Sequence, residues 1–130
     1  MPDHSTSTEQ EVTLPRLLGA LSDPTRLGIV RVLSDGAERG WGELRAPVAK
    51  STMSHHLKVL REAGITQTRQ EGTRCFVTLR REALDARFPG LLPALLSVAV
   101  ADHVGQHVSV GSDSVNRVGT PRIASPGRVE

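Results

Sequence analysis

The chain has 130 residues, a formal net charge of +2 and a single cysteine, Cys75, which is room for one ordinary domain with two flanking segments and excludes an intramolecular disulfide or a cysteine-rich zinc site. Aromatic residues are confined to Trp41, Phe76 and Phe88, too few for the base-stacking sheets of single-strand and RNA binders. Charge is uneven, with eight cations against three carboxylates between Gly40 and Arg81, so this stretch carries +5 and the rest −3, a polarity that favours an anionic partner such as duplex DNA.

The opening MPDHSTSTEQ has neither the cationic start nor the apolar run of a secretory signal, and no apolar run reaches transmembrane length. The expectation is a soluble, cytoplasmic protein without a membrane partner, whose polar residues 1–12 form a disordered arm. The folded domain is expected over 13–104. Leu14, Leu17, Leu18 and Leu21 give a short helical pattern, with Pro15 acceptable in the first turn. A second helix starts in SDPTRLGIVRVL, where Ser22 or Asp23 can cap and Pro24 is the first helical residue. Leu27, Val30 and Leu33 face its core, with Ile29 beside them, and Asp35-Gly36 supplies the closing turn.

After AERG, residues Trp41 to Ala46 are long enough for the short first helix of a helix-turn-helix, anchored by Leu44 and ended by Pro47. KSTMSHHLKVLREAGI, Lys50 to Ile65, is then the recognition helix. Met53, Leu57 and Leu60 fall at i, i+4 and i+7, Ala63 extends their stripe, Ser51 or Thr52 can cap, and Gly64 closes the C-terminus. About 100° round the helix lie Ser51, Thr52, His55, Lys58 and Glu62, short hydrogen-bonding groups with a cation and an imidazole, suited to base edges and phosphates. His56 flanks the apolar stripe and is expected to be partly buried and hydrogen-bonded.

The strand-like ITQTRQ and TRCFVTL, separated by Glu71-Gly72, form a β-hairpin that places Arg69 and Arg74 where a wing reaches phosphate or minor groove. Cys75 on this hairpin is expected to be a small packed hydrophobe rather than a redox switch. A helical segment follows from Arg80 through Leu84 and Phe88, breaks at Pro89-Gly90 and resumes in LLPALLSVAVADHV. There Leu91, Leu95 and Val98 make one stripe and Leu92, Leu96 and Ala99 another. So broad an apolar surface points to a subunit interface. Residues 105–130, rich in Gly, Ser and Pro, are expected to be a disordered tail.

The runs ALSDPTRLGIVRVL, STMSHHLKVLREAGI and QEGTRCFVTL together resemble the ArsR family of bacterial winged-helix transcriptional regulators, over roughly Leu14 to Leu79. The fold so implied is mainly α with a small β-hairpin wing, a winged helix-turn-helix dimerising through its N- and C-terminal helices. The resemblance implies a homodimeric repressor on a palindromic operator of double-stranded DNA, open to release by a small-molecule effector. It assigns DNA contacts to Lys50, Ser51, Thr52, Ser54, His55 and Lys58, wing contacts to Arg69 and Arg74, and the dimer interface to Leu14, Leu17, Leu18, Leu91, Leu92, Leu95, Leu96 and Val98.

Metal-sensing relatives carry a Cys-x-Cys pair where this chain has Gly40-Trp41-Gly42, or a D-x-H with H-x-x-E or H-x-x-H in the last helix, where Asp102-His103 and His107 fail the spacing. No cofactor is therefore expected. The alternatives are a metal-responsive repressor using His103 and His107 on one helix face, and a winged-helix protein-interaction module that does not bind DNA. An enzyme is not expected, since phosphate-cradling and nucleophile motifs are both missing.

Overall fold

The structure, a computed structural model, describes residues 12–111. The expected arm at 1–12, apart from Val12, and the expected tail beyond Gly111 lie outside the described residues. Among the described residues, five helices and two small antiparallel sheets follow one another: α1 (Leu14–Ala20), α2 (Pro24–Val32), β1 (Arg39–Gly40), a 3₁₀ turn (Trp41–Glu43), β2 (Leu44–Arg45), α3 (Lys50–Glu62), β3 (Thr66–Glu71), β4 (Arg74–Leu79), α4 (Arg81–Arg87), α5 (Leu91–Ala101) and β5 (Ser109–Val110). One sheet has the order β1-β4-β3, the other pairs β2 with β5. This is a winged helix-turn-helix.

The local chemistry fixes the helix ends. Thr13 caps α1, and Asp23 caps α2 by accepting from the N–H groups of Thr25 at 2.8 Å and Arg26 at 3.1 Å, with Pro24 in the first helical position. Gly64 has φ +82°, and the bonds Gly64 N–H to the Arg61 carbonyl and Ile65 N–H to the Leu60 carbonyl, both 3.0 Å, end α3 in a Schellman turn. Gly72, φ +62°, makes the tip of the β3–β4 hairpin, so the turn falls on Gly72-Thr73 and Glu71 still pairs with Arg74. Gly90, φ +77°, turns the chain by 107° between α4 and α5.

The core is one cluster. Leu17 of α1, Ile29, Val30 and Leu33 at α2, Leu57 and Leu60 of α3, Ile65, Val77 of β4 and Leu84 of α4 are all buried. Each such side chain stabilises the fold by roughly 1.5–3 kcal/mol through transfer from water.

Three expectations are corrected. Trp41 to Ala46 is not a helix: it is a single 3₁₀ turn followed by a strand. Gly40 and Gly42 weaken helix propensity there, the Glu43 carboxylate takes the Gly40 N–H at 3.3 Å, and a strand partner is at hand in β5. Nor does the folded part stop at 104. Gly105, φ +83°, lies against Gly28, Val108 is 1% exposed, Arg31 Nη2 donates to the carbonyls of Val108 (2.8 Å) and Gly105 (3.3 Å), and Leu44 pairs with Val110. Residues 105–110 therefore strap α2 and β2. Finally, His103 and His107 do not share a helix face, because α5 ends at Ala101 and His103 is itself left-handed at φ +60°. His107 Nε2 instead meets Thr25 Oγ1 at 2.8 Å, and His103 Nδ1 meets Gln106 at 3.0 Å.

Candidate nucleic-acid interface

Helix α3 packs its inner stripe and leaves its outer face unoccupied. Leu57, Leu60 and His56 are buried and Met53 half-buried, while Lys50, Ser51, Thr52, Ser54, His55 and Lys58 are exposed. None of these six exposed side chains makes a hydrogen bond or ion pair with another described residue. Two hydroxyl-bearing residues, a further serine, an imidazole and two ammonium groups are thus presented together with their full bonding capacity free. The cap expected from Ser51 or Thr52 is not used. The helix begins at Lys50, two residues before a Ser51 cap would start it, Ala49 occupies the cap position without a side-chain bond, and both hydroxyls remain available on the first turn.

His56 behaves as the sequence suggested. Its Nδ1 lies 3.2 Å from Arg26 Nη1 and its Nε2 3.9 Å from Asp23 Oδ2, while Arg26 Nε donates to the Ala20 carbonyl at 2.7 Å. Burial, reinforced by the Arg26 and His55 charges, lowers its pKa from the ordinary histidine value, and the Asp23 carboxylate only partly opposes this. For Asp23, burial resists ionisation, but the Arg26 N–H, the His56 and Arg26 charges and the Thr25 N–H outweigh it and hold the carboxyl below its usual range.

The wing divides its two arginines. Arg69 is engaged inside the molecule: Nε and Nη2 grip Glu38 at 2.9 and 2.8 Å, Nη1 reaches Glu71 at 2.9 Å, and the guanidinium lies 4.4 Å from the centre of the Phe76 ring. Those hydrogen bonds hold the Glu38 carboxyl below its ordinary pKa and raise that of Arg69. Arg74 is exposed and rests 5.0 Å from the same ring, with no carboxylate of the described residues attached. Sequence reasoning missed Glu38, which stands 31 residues before Arg69. It also missed Arg45, an exposed cation on β2 with no ion pair to another described residue, on the strand that leads into α3.

The surface expected at a subunit interface is mixed. Leu14 (43% exposed), Leu18 (45%) and Val98 (65%) are open, and Leu91, Leu95 and Leu96 are half-buried. Leu17 and Leu92 are corrected to core positions, because each turns inward within its own chain. Cys75 is partly buried. Among the described residues no cluster of three or more His, Cys, Asp or Glu side chains could hold a metal. No single described helix is long and apolar enough to cross a membrane.

An amphipathic helix with a free polar outer face, preceded by a turn and followed by a hairpin wing, defines the winged helix-turn-helix class of transcription regulators. The comparisons with known proteins agree. A helix-turn-helix domain family matches residues 21–69. An uncharacterised HTH-type transcriptional regulator of Bacillus subtilis (strain 168) is 40% identical over 83 residues, which cover 62% of this chain and 83% of that protein. The biofilm growth-associated repressor of Agrobacterium fabrum is 41% identical over 68 residues, 51% of this chain and 57% of its own. Among solved structures, a "possible transcriptional regulator for arsenical resistance" is 30% identical, covers 69% of this chain and 97% of its own, and superposes with a TM-score of 0.50. The chain belongs to the ArsR-type family of helix-turn-helix transcriptional regulators. Its relatives and its fold are those of regulators and not of enzymes, and double-stranded DNA is the partner that this family implies.

Proposed function

We propose that the protein is a cytoplasmic, homodimeric repressor that places α3 of each subunit in successive major grooves of a palindromic operator. The observation that carries this reading is the outer face of α3, six exposed polar or cationic side chains with no hydrogen-bond or ion-pair partner among the described residues. Lys50 and Lys58 meet phosphates, and Ser51, Thr52, Ser54 and His55 address base edges or the adjacent backbone. Arg74, with Arg45 behind it, extends the cationic track. Arg69 joins it only by exchanging Glu38 for a phosphate. Leu14 and Leu18 on α1 and Leu91, Leu95, Leu96 and Val98 on α5 form the interface between subunits, whose two-fold axis sets half-sites about 34–36 Å apart. That one relative is a repressor supports repression by occlusion of a promoter.

A small-molecule effector has a place to act. A cleft of about 1000 Å³ between the end of α2, the base of the wing, α4 and α5 is lined by Gly36, Leu79, Arg81, Leu92 and Leu96, so its occupancy bears on both the interface helix and the wing. The test of DNA binding is selection from a library of random duplexes with the purified protein. Enrichment of an inverted repeat with half-sites one helical turn apart is expected. Enrichment of a single unrepeated site would overturn the symmetric dimer, and no enrichment at all would overturn DNA binding.

A further inference from the structure

Among the described residues the outer face of α3 has no hydrogen-bond or ion-pair partner, and its inner face carries one polar tie, through His56. We propose that His56, gripped by Arg26 and Asp23, is the positioning residue that sets the DNA-reading end of α3, and that it makes operator binding depend on its own protonation. The proposal rests on the DNA-binding reading above.

The geometry determines the tautomer. A guanidinium has only N–H donors, so at 3.2 Å from Arg26 Nη1 the His56 Nδ1 must be the acceptor, and the neutral ring carries its proton on Nε2, facing the Asp23 carboxylate 3.9 Å away. A second proton can go only to Nδ1. There it would confront the Arg26 N–H with another N–H and one positive charge with another, and the bond between α2 and α3 would be lost. Asp23 favours the added charge, whereas Arg26, His55 and the burial of the ring disfavour it, and the balance lowers the pKa. From α1 only the Ala20 carbonyl enters the network, holding Arg26 by its Nε at 2.7 Å.

The tie matters because of where the apolar anchors lie. Leu57, Leu60 and Ala63 fasten the C-terminal half of α3 in the core, while the first turn, bearing Ser51, Thr52 and Ser54, has only the half-buried Met53 and an N-cap, Ala49, that provides no side-chain bond. Among the described residues no other α3 side chain makes a hydrogen bond or ion pair. Losing the Arg26 bond therefore frees the reading end while the far end stays packed.

The experiment measures affinity for the selected duplex from pH 8 to pH 5.5 at constant ionic strength, for the wild type and for His56→Gln, whose amide can accept from Arg26 and does not titrate. Any general strengthening of phosphate binding as pH falls is shared by both proteins, so the comparison between them isolates His56. The expected result is that the wild type loses affinity relative to His56→Gln by about twofold to fivefold at pH 5.5, as for a pKa that lies about one unit lower in the bound than in the free protein. Parallel profiles would overturn the proposal while leaving DNA binding intact, whereas no binding by either protein at any pH would overturn the reading beneath it. If His56→Gln does not fold, the His56 ring resonances of the wild type are titrated with and without the duplex. A lower pKa in the complex is expected, and an equal or higher one would overturn the proposal.

Discussion

Arg69 and Arg74 sit on paired wing strands and stack on one phenylalanine, yet only Arg74 is available to an outside anion. The difference is Glu38, which grips Arg69 with two hydrogen bonds of 2.8–2.9 Å. Both groups are well exposed, so the pair adds little to stability, but it sets a competition between carboxylate and phosphate. Glu38→Gln is expected to raise operator affinity at low salt by a few fold, because it removes both the competitor and a negative charge beside the wing. Fluorescence anisotropy with the selected duplex checks this, and an unchanged or weaker affinity would place Arg69 away from DNA. At the same scale, Arg74→Ala should weaken binding across all sequences alike, as the loss of a phosphate contact does.

At the scale of elements, the segment 105–110 is the feature that the sequence concealed most. Its Gly, His and Val residues show no period, and its order comes from non-local partners: Gly28 beneath Gly105, Thr25 beside His107, Arg31 on two carbonyls and Leu44 opposite Val110. The same absence of local signal explains why Trp41 to Ala46 resembled a helix, since the strand that pairs with Leu44 and Arg45 arrives some 65 residues later. By contrast, the start of α2, the C-terminal end of α3 and the hairpin were legible, because Asp23-Pro24, Gly64 and Gly72 act within a few residues of themselves. The face of α3 was legible for a similar reason, since a helical period fixes which side chains point outward once Leu57 and Leu60 point inward. What the sequence could not show was that Arg69 was already taken and that Leu17 and Leu92 turned inward.

The strap makes a direct prediction. A Cβ at Gly28 would lie 2.5 Å from the Gly105 carbonyl oxygen and 2.7 Å from a Val108 methyl, so Gly28→Ala should cost roughly 1–3 kcal/mol in urea unfolding by overpacking. A cost near zero would mean that the strap is not seated on α2. The His56 network adds a pH term with a definite sign. Because the folded pKa lies below the ordinary histidine value of about 6.5, the folded state binds fewer protons than the unfolded one between the two values. The stability it contributes is present above about pH 6.5 and is lost as pH falls through the folded pKa. Urea midpoints at pH 7.5 and pH 5.5 should accordingly fall further for the wild type than for His56→Gln. Equal shifts would remove His56 as the source.

For the whole molecule, the chain is a small core with two faces left over, one polar on α3 and the wing, one apolar on α1 and α5. An isolated apolar patch of this kind is a liability that a second copy of the chain removes. Leu18→Glu combined with Val98→Glu changes two residues that are 45% and 65% exposed, so the fold should persist while the dimer does not. Light scattering after gel filtration is expected to report a monomer, with operator affinity lost by at least tenfold because one α3 helix alone reads half a site. A dimer that survives both charges would relocate the interface.

The central claim is that the outer face of α3 reads DNA, and the most direct test is the salt dependence of binding to the selected duplex by the wild type, Lys58→Ala and the double variant His55→Ala with Lys58→Ala. The wild type should bind with a steep log–log slope, Lys58→Ala should reduce that slope by about one, and the double variant should lose sequence preference as well. Wild-type affinity and slope in the double variant would contradict the account, for the helix would then be bound to DNA by some other face or not at all.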